Sequence, residues 1–149
     1  NGRGQYGKKW ISYKGNLFAT IFFSINKINI SLKEFTYVNC TLIRKLISIF
    51  YKENIIIKRP NDLLINGKKV CGILQETIYK SNEKFIIIGI GLNIIKSPNI
   101  KNYPTTNLYE ITNKKIDIHK VIFSLKKIYE TFIPISKKIN IKNIDKLVK

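Results

Sequence analysis

Three short stretches of this chain bring together residue types that a hydrophobic core does not ask for. The first, GRGQYGKKW (Gly2 to Trp10), sets Gly2, Gly4 and Gly7 among Arg3, Lys8 and Lys9. Such glycines let backbone N–H groups converge on an anion, and Arg3 adds a two-pronged donor suited to a carboxylate or phosphate. Glycine gives up more freedom on ordering than any other residue, so this density implies backbone that must approach something closely. The segment is not a Walker loop, since a GK[ST] ending is missing, and its spacing differs from the dinucleotide fingerprint.

The second stretch is KRPNDLLINGKKVCGILQE (Lys58 to Glu76). Lys58 and Asp62 flank the rigid Pro60, with Asn61 between, so polar groups are held where a strand begins. Farther on, Lys69 and Gly72 bracket an apolar pair. Strict alternation puts Lys69 and Cys71 on one face of the strand and Val70 and Gly72 on the other. The third stretch, IGIGLN, interrupts an otherwise apolar strand with Gly89, Gly91 and Asn93. Two glycines on one face clear space beside a sheet for a ligand or another backbone. Each stretch alone has a plainer reading: incidental glycines, a solvent-facing hairpin lysine, a bulge. Together they describe a site with a sheet for its floor and a basic glycine-rich lid. That arrangement suits a phosphate-bearing intermediate kept from water.

The elements that must position these groups follow from periodicity. NLFATIFFSI (Asn16 to Ile25) is a strand-length apolar run. Ser31 and Glu34 have capping-box spacing, and Leu32, Phe35, Val38, Leu42, Leu46, Ile49 and Phe50 recur at helical intervals, which predicts a long amphipathic helix over Ser31 to Lys52. A short strand over Ile55 to Lys58 stops before Pro60. DLLI and KKVCGILQETIY form a hairpin around Asn66-Gly67, where both turn positions accept positive φ. KFIIIGIGLNII (Lys84 to Ile95) pairs next through the turn at Lys80, Ser81 and Asn82. A short helical piece is expected at Asn107 to Ile111. Asp117 caps a last helix through Phe132, which Pro134 should end or kink. The result is one α+β domain with a mostly antiparallel sheet flanked by helices.

Composition sets outer bounds. A chain of 149 residues with 44% hydrophobic content is globular rather than disordered. No run of about 18 uninterrupted apolar residues marks a membrane span. Cys40 and Cys71 lack metal-type spacing and read as buried thiols in a reducing cytoplasm. The net charge of +18, from 27 Lys plus Arg against 9 Asp plus Glu, suggests an acidic partner or a small nucleic-acid-binding module. Ile, Lys and Asn are enriched evenly from end to end, however, as compositional drift would leave them. A nucleic-acid module also leaves KRPND and the paired glycines unexplained, so no specific nucleic acid is expected.

GRGQYGKKW, KRPNDLL, KKVCGILQE and GIGLN, in this order and spacing, resemble the biotin protein ligases, the biotin–[acetyl-CoA-carboxylase] ligases. That family carries GRGxxGxxW, KWPND, K-x-x-GIL-x-E and GxGxN, and the likeness covers Gly2 to Asn93. Lipoate and octanoyl transferases of the same superfamily are the nearest alternative, without the pairing of GRGxxGxxW with GIL-x-E. The resemblance implies a catalytic core related to class II aminoacyl-tRNA synthetases. It implies a cytoplasmic enzyme that joins biotin and ATP, with Mg²⁺, into biotinyl-5′-AMP. The biotinyl group then passes to a lysine of the biotin carboxyl carrier protein of acetyl-CoA carboxylase.

Carried over by the resemblance, Arg3 pairs with the biotin carboxylate or the adenylate phosphate, while Gly2 and Gly4 shape the closing loop. Lys69 contacts the reacting carboxylate and phosphate, Gly72 turns its N–H to the ligand, and Trp10 packs beneath the loop. Asn61 and Asp62 are the polar pair near phosphate, metal and incoming lysine, and Asn93 lies on the nucleotide side. Two positions depart from the pattern. Gln5 stands in place of the second loop arginine, and Arg59 replaces the tryptophan of KWPND. The family's S-T-N stretch, which holds the ureido ring of biotin, is not found, so residues 1–149 are expected to be a catalytic domain incomplete at its N-terminus. Neither a DNA-binding domain nor a C-terminal SH3-like domain is expected, and the family allows a homodimer.

Overall fold

The glycine-rich opening is a small antiparallel ribbon. β1 (Gly2–Arg3) pairs with β2 (Lys9–Trp10) so that Gly2 faces Trp10 and Arg3 faces Lys9. A single 3-10 turn over Gln5–Gly7 reverses the chain, with Tyr6 and Gly7 at φ of 54° and 73°. These observations come from a computed structural model that describes residues 2–26, 28 and 30–138.

The apolar run after the ribbon forms β3 (Leu17–Ser24), and α1 (Leu32–Ser48) follows. The capping box expected from sequence is present: Glu34 N–H donates to Ser31 Oγ at 3.2 Å, and Ser31 N–H donates to the Glu34 carboxylate at 2.7 Å. Next come β4 (Ile56–Lys58), β5 (Asp62–Ile65), β6 (Lys68–Lys80) and β7 (Glu83–Leu92). Asn66 and Gly67 take φ of 50° and 73°, and Ser81 and Asn82 take 50° and 63°, so both hairpins turn on two residues with positive φ. The short helix α2 (Leu108–Thr112) is capped by Asn107, and α3 (Ile118–Ile135) by Asp117.

Five strands make one antiparallel sheet in the order β3-β7-β6-β5-β4. Its two faces differ because alternation sends different residues to each. Ile73, Ile86, Ile88 and Ile90 lie on the face packed against α1 and α3 and are at most 3% exposed. Phe23, Phe35 and Phe132 interlock there, with centroids 6.2 and 6.0 Å apart. A polar relay crosses this core. Tyr129 Oη donates to Asn39 Oδ1 at 3.0 Å, Asn39 Nδ2 donates to Gln75 Oε1 at 2.8 Å, and Gln75 Nε2 donates to the Leu32 carbonyl at 2.9 Å. It ties α3, α1 and β6 together with each buried amide satisfied.

Two expectations need correcting. Pro134 does not end α3, which runs one residue further to Ile135. Proline removes a single N–H bond, and in the last turn Ser136 N–H already closes the helix on the Phe132 and Ile133 carbonyls. The second correction concerns β6. Leu63 pairs with Cys71 and Leu64 with Lys69, leaving Val70 as an extra residue in a β-bulge. The bulge interrupts the alternation, so Val70 and Cys71 are both fully buried. Lys69 then shares a face with Gly72 rather than with Cys71. A Cβ at Gly72 would lie 3.1 Å from Lys69 Nζ.

Candidate active site

The open face of the sheet carries Gly72, Leu74 and Glu76 from β6, Ile87, Gly89 and Gly91 from β7, and Phe18 and Thr20 from β3, by cross-strand register. With the β1–β2 ribbon and the loop that follows Asn93, these residues enclose a cavity of about 720 Å³. Arg3, Trp10, Asn61, Asp62, Lys69 and Asn93 all line it, as do Gly2 and Gly4. The structure therefore gathers every sequence-expected site residue around one space.

The floor is built by omission of side chains. A Cβ at Gly72 would come within 2.6 Å of the Trp10 ring, and one at Gly91 within 2.4 Å. Gly72 and Gly91 are direct cross-strand partners. Their missing side chains form a slot that the indole fills. Gly72 has its backbone in the plane of the sheet, between Asp62 of β5 and Gly91 of β7. Its contribution to the open face is the missing Cβ. Gly89 has only ordinary contacts near its own Cβ position, 3.7 Å from Leu74, and leaves its part of the floor clear.

Beside this floor sits a tight charged group. Lys69 Nζ lies 2.7 Å from Asp62 Oδ1, with side chains 17% and 14% exposed. The same ammonium stands 5.1 Å from the centroid of Trp10 and 5.6 Å from that of Tyr103. Tyr103 Oη donates to the other Asp62 oxygen at 2.6 Å. Burial first, and the bond to Asp62 second, push the Tyr103 phenol well above its ordinary value, so it stays a donor. The local backbone explains why the cluster holds its place. Asn61 Nδ2 donates to the Ile73 carbonyl at 2.6 Å and Ile73 N–H returns to the Asn61 carbonyl at 2.9 Å, strapping the KRPND corner to β6.

Arg3 stands apart from this group. Its guanidinium donates to Glu76 Oε2 at 2.9 Å on the cavity rim, with side chains 75% and 41% exposed. An exposed pair of this kind holds Arg3 only weakly, so the guanidinium is available to an incoming anion. Asn93 is 2% exposed and donates from Nδ2 to the Thr106 carbonyl at 3.1 Å. Among the described residues, two buried wall atoms, Asn93 Oδ1 and Trp10 Nε1, have neither a hydrogen-bond nor an ion-pair partner, while Asp62 Oδ1 has only the Lys69 ammonium. Buried polar atoms without a protein partner call for a water, an ion or a ligand beside them.

Sequence reasoning reads Asn99 to Thr105 as a loop, as observed, but assigns Tyr103 within it no part in the site. It also missed Asn16, whose Oδ1 accepts from Ile94 and Ile95 N–H at 3.0 and 2.9 Å, while Nδ2 donates to the Lys96 carbonyl at 2.7 Å. Asn16 thereby fixes where the chain leaves β7 toward that loop. An asparagine before a strand and a Tyr-Pro in a polar loop carry no periodic signal. Cys40 and Cys71 are buried free thiols, as expected, and burial pushes Cys40 up to about 12 and Cys71 in the same direction. Thiols so disfavoured as thiolates are structural. Among the described residues no helix is long and apolar enough to cross a membrane.

Known proteins share this fold. The profile of the Biotin/lipoate A/B protein ligase family matches residues 1–93. The bifunctional ligase/repressor BirA of Bacillus spizizenii is 30% identical over 127 residues, 81% of this chain and 39% of that protein. The biotin–[acetyl-CoA-carboxylase] ligase of Paracoccus denitrificans is 28% identical over 100 residues, 65% of this chain and 42% of that protein. The biotin protein ligase of Aquifex aeolicus, solved in complex with biotin and ATP, superposes with a TM-score of 0.79 at 25% identity, covering 99% of this chain and 62% of that one. Matches to BirA and biotin–[acetyl-CoA-carboxylase] ligases take in 19% to 42% of each relative's length. With that profile matched over residues 1–93 and this fold, the chain belongs to the biotin/lipoate A/B protein ligase family.

Proposed function

We propose that this site activates biotin with ATP and passes the biotinyl group to a lysine of a carboxyl carrier domain. One observation carries the reading: a cationic Lys69, anchored by Asp62, stands over a glycine-cleared floor in a cavity closed by a basic ribbon. In the first step a carboxylate oxygen of biotin attacks the α-phosphorus of ATP. A new P–O bond forms, the bond to the β-phosphate bridge breaks, and pyrophosphate leaves. Lys69 faces the negative charge that grows on the phosphoryl oxygens, and a fixed cation in a sheltered site favours that charge without reorganising. Arg3, released from Glu76, supplies a second cation to the carboxylate or phosphate.

In the second step the acceptor lysine, as a free amine, attacks the acyl carbon. A C–N bond forms, the acyl–oxygen bond breaks, and AMP departs with the electron pair. Under this reading the proton the amine sheds passes to Asp62, the carboxylate beside Lys69, or to water. The ribbon and Trp10 shelter the mixed anhydride from water until the acceptor arrives.

Mg²⁺ enters this reading with the ATP phosphates. Among the described residues no group of three or more His, Cys, Asp or Glu could cage an ion. Mg²⁺ commonly binds through one or two carboxylates plus substrate phosphates, and Asp62 is the carboxylate beside Lys69. The acceptor under this reading is the biotin carboxyl carrier protein of acetyl-CoA carboxylase, and the setting is the cytoplasm.

The test is biotin-dependent exchange of labelled pyrophosphate into ATP by the folded full-length protein, its upstream residues included. Exchange with biotin but not with lipoate is the expected result. Folded protein that exchanges with neither overturns the reading, and exchange with lipoate alone reassigns the substrate within the family.

A further inference from the structure

The loop after β7 touches the Lys69–Asp62 pair from two directions. Its backbone grips Lys69: Lys69 N–H donates to the Pro104 carbonyl at 2.9 Å, and Thr106 N–H donates to the Lys69 carbonyl at 2.9 Å. A parallel bridge between Lys69 and Thr105 is the register these bonds create. Its side chain grips Asp62: Tyr103 Oη donates to Oδ2 at 2.6 Å while Lys69 Nζ holds Oδ1 at 2.7 Å. Tyr103 in turn is backed by Lys58, whose ammonium lies 4.5 Å from the ring centroid.

A carboxylate held through one oxygen can rotate, and a lysine on a four-carbon stem follows it. A second bond on the other oxygen removes that rotation. We infer that Tyr103 is a positioning residue, clamping Asp62 so that Asp62 in turn fixes the Lys69 ammonium above Gly72 and Trp10. This rests on the reading given under Proposed function only for its catalytic consequence. The clamp itself is a statement about the free protein. Tyr103 does not need to touch the substrate, and its phenol, kept protonated by burial, is suited to donate throughout the working pH range.

The chain has a single tryptophan, and Lys69 Nζ sits 5.1 Å from its ring, so Trp10 emission reports on where that ammonium is. The experiment compares wild type with Tyr103→Phe, Asp62→Asn and the double variant. Each is checked for folding by melting temperature, then read by Trp10 emission and by pyrophosphate exchange. With the clamp in place, Tyr103→Phe and Asp62→Asn shift the emission in the same direction, and the double variant shifts it no further than Asp62→Asn alone. Exchange by Tyr103→Phe falls about tenfold in kcat, with the KM for biotin within about twofold, as the loss of one charge-assisted hydrogen bond would give. Emission unchanged in Tyr103→Phe, or losses that add in the double variant, overturn the clamp. Absence of exchange in folded wild type overturns the proposed function instead, and the emission cycle still decides the clamp.

Discussion

Gly72 and Gly91 stand opposite each other in the β6–β7 ladder, and the indole of Trp10 occupies the space both leave. The ribbon therefore plugs into the sheet through one aromatic ring. At Gly91 an added Cβ would meet Trp10 at 2.4 and 2.5 Å, well inside van der Waals contact. Gly91→Ala is expected to displace the ring, costing about 1–3 kcal/mol as overpacking does. It should also weaken biotin binding by at least about tenfold, equivalent to ~1.4 kcal/mol. Calorimetric titration with biotin, beside a denaturant melt, reads both effects. An unchanged affinity would mean that the ring position does not shape the pocket.

Lys69→Ala addresses chemistry rather than shape. Loss of the cation paired with Asp62 should slow pyrophosphate exchange by about 100-fold or more, the scale seen when a preorganised charge-stabilising group is removed. Stability should fall by only about 1–2 kcal/mol, because Asp62 keeps its bond from Tyr103. A variant that unfolds, or one that exchanges at the wild-type rate, would make the lysine structural.

Much of this could be read before the structure was known, and the reasons are local. The two-residue turn at Asn66-Gly67, the capping box of Ser31 and Glu34 and the alternation along β7 each announce themselves within a few residues. The face on which Lys69 lies could not be read that way. It depends on how β5 pairs with β6, and the register shift between Leu63 and Leu64 becomes readable in the residue order only once Lys69 and Gly72 are known to share a side. Tyr103 is legible only once the loop has closed over a side chain 41 positions earlier. Asn16 likewise works across 78 to 80 positions, where no periodic pattern reaches.

The relay from Tyr129 through Asn39 to Gln75 predicts a stability effect far from the cavity. Tyr129→Phe keeps the ring but leaves Asn39 Oδ1 without the donor it has at 3.0 Å. A buried acceptor stripped of its partner costs about 1–3 kcal/mol. Urea denaturation should show the midpoint falling with an unchanged slope, and exchange kinetics at 25 °C should be preserved. A midpoint equal to wild type would show that the relay contributes nothing net.

Glu34 provides the pH dependence. Its carboxylate accepts the Ser31 backbone N–H, and that bond first, with the nearby Ser31 hydroxyl second, lowers its proton affinity from the ordinary value of 4.5. A carboxylate with a depressed folded value favours the native state above the unfolded value, and that contribution disappears as pH falls through the lower folded value. The cap therefore adds stability above about pH 4.5 and loses it on further acidification. Gln at this position retains the neutral cap without titrating. Thermal melts of Glu34→Gln and wild type should differ at pH 7 and converge in acid. A difference that persists unchanged at low pH would place the effect elsewhere.

The bulge at Val70 has a consequence for how the charged motif is spelled. A strand places residues on one side in even steps, yet Lys69 and Gly72 are three apart and serve the same cavity. Only an extra residue between them reconciles that odd step with a shared side, and Val70 is that residue. The two positions inside the motif, Val70 and Cys71, both point into the core. The spacing of lysine and glycine is therefore a parity mark, and it records in the one-dimensional sequence a kink that is otherwise visible only in three dimensions.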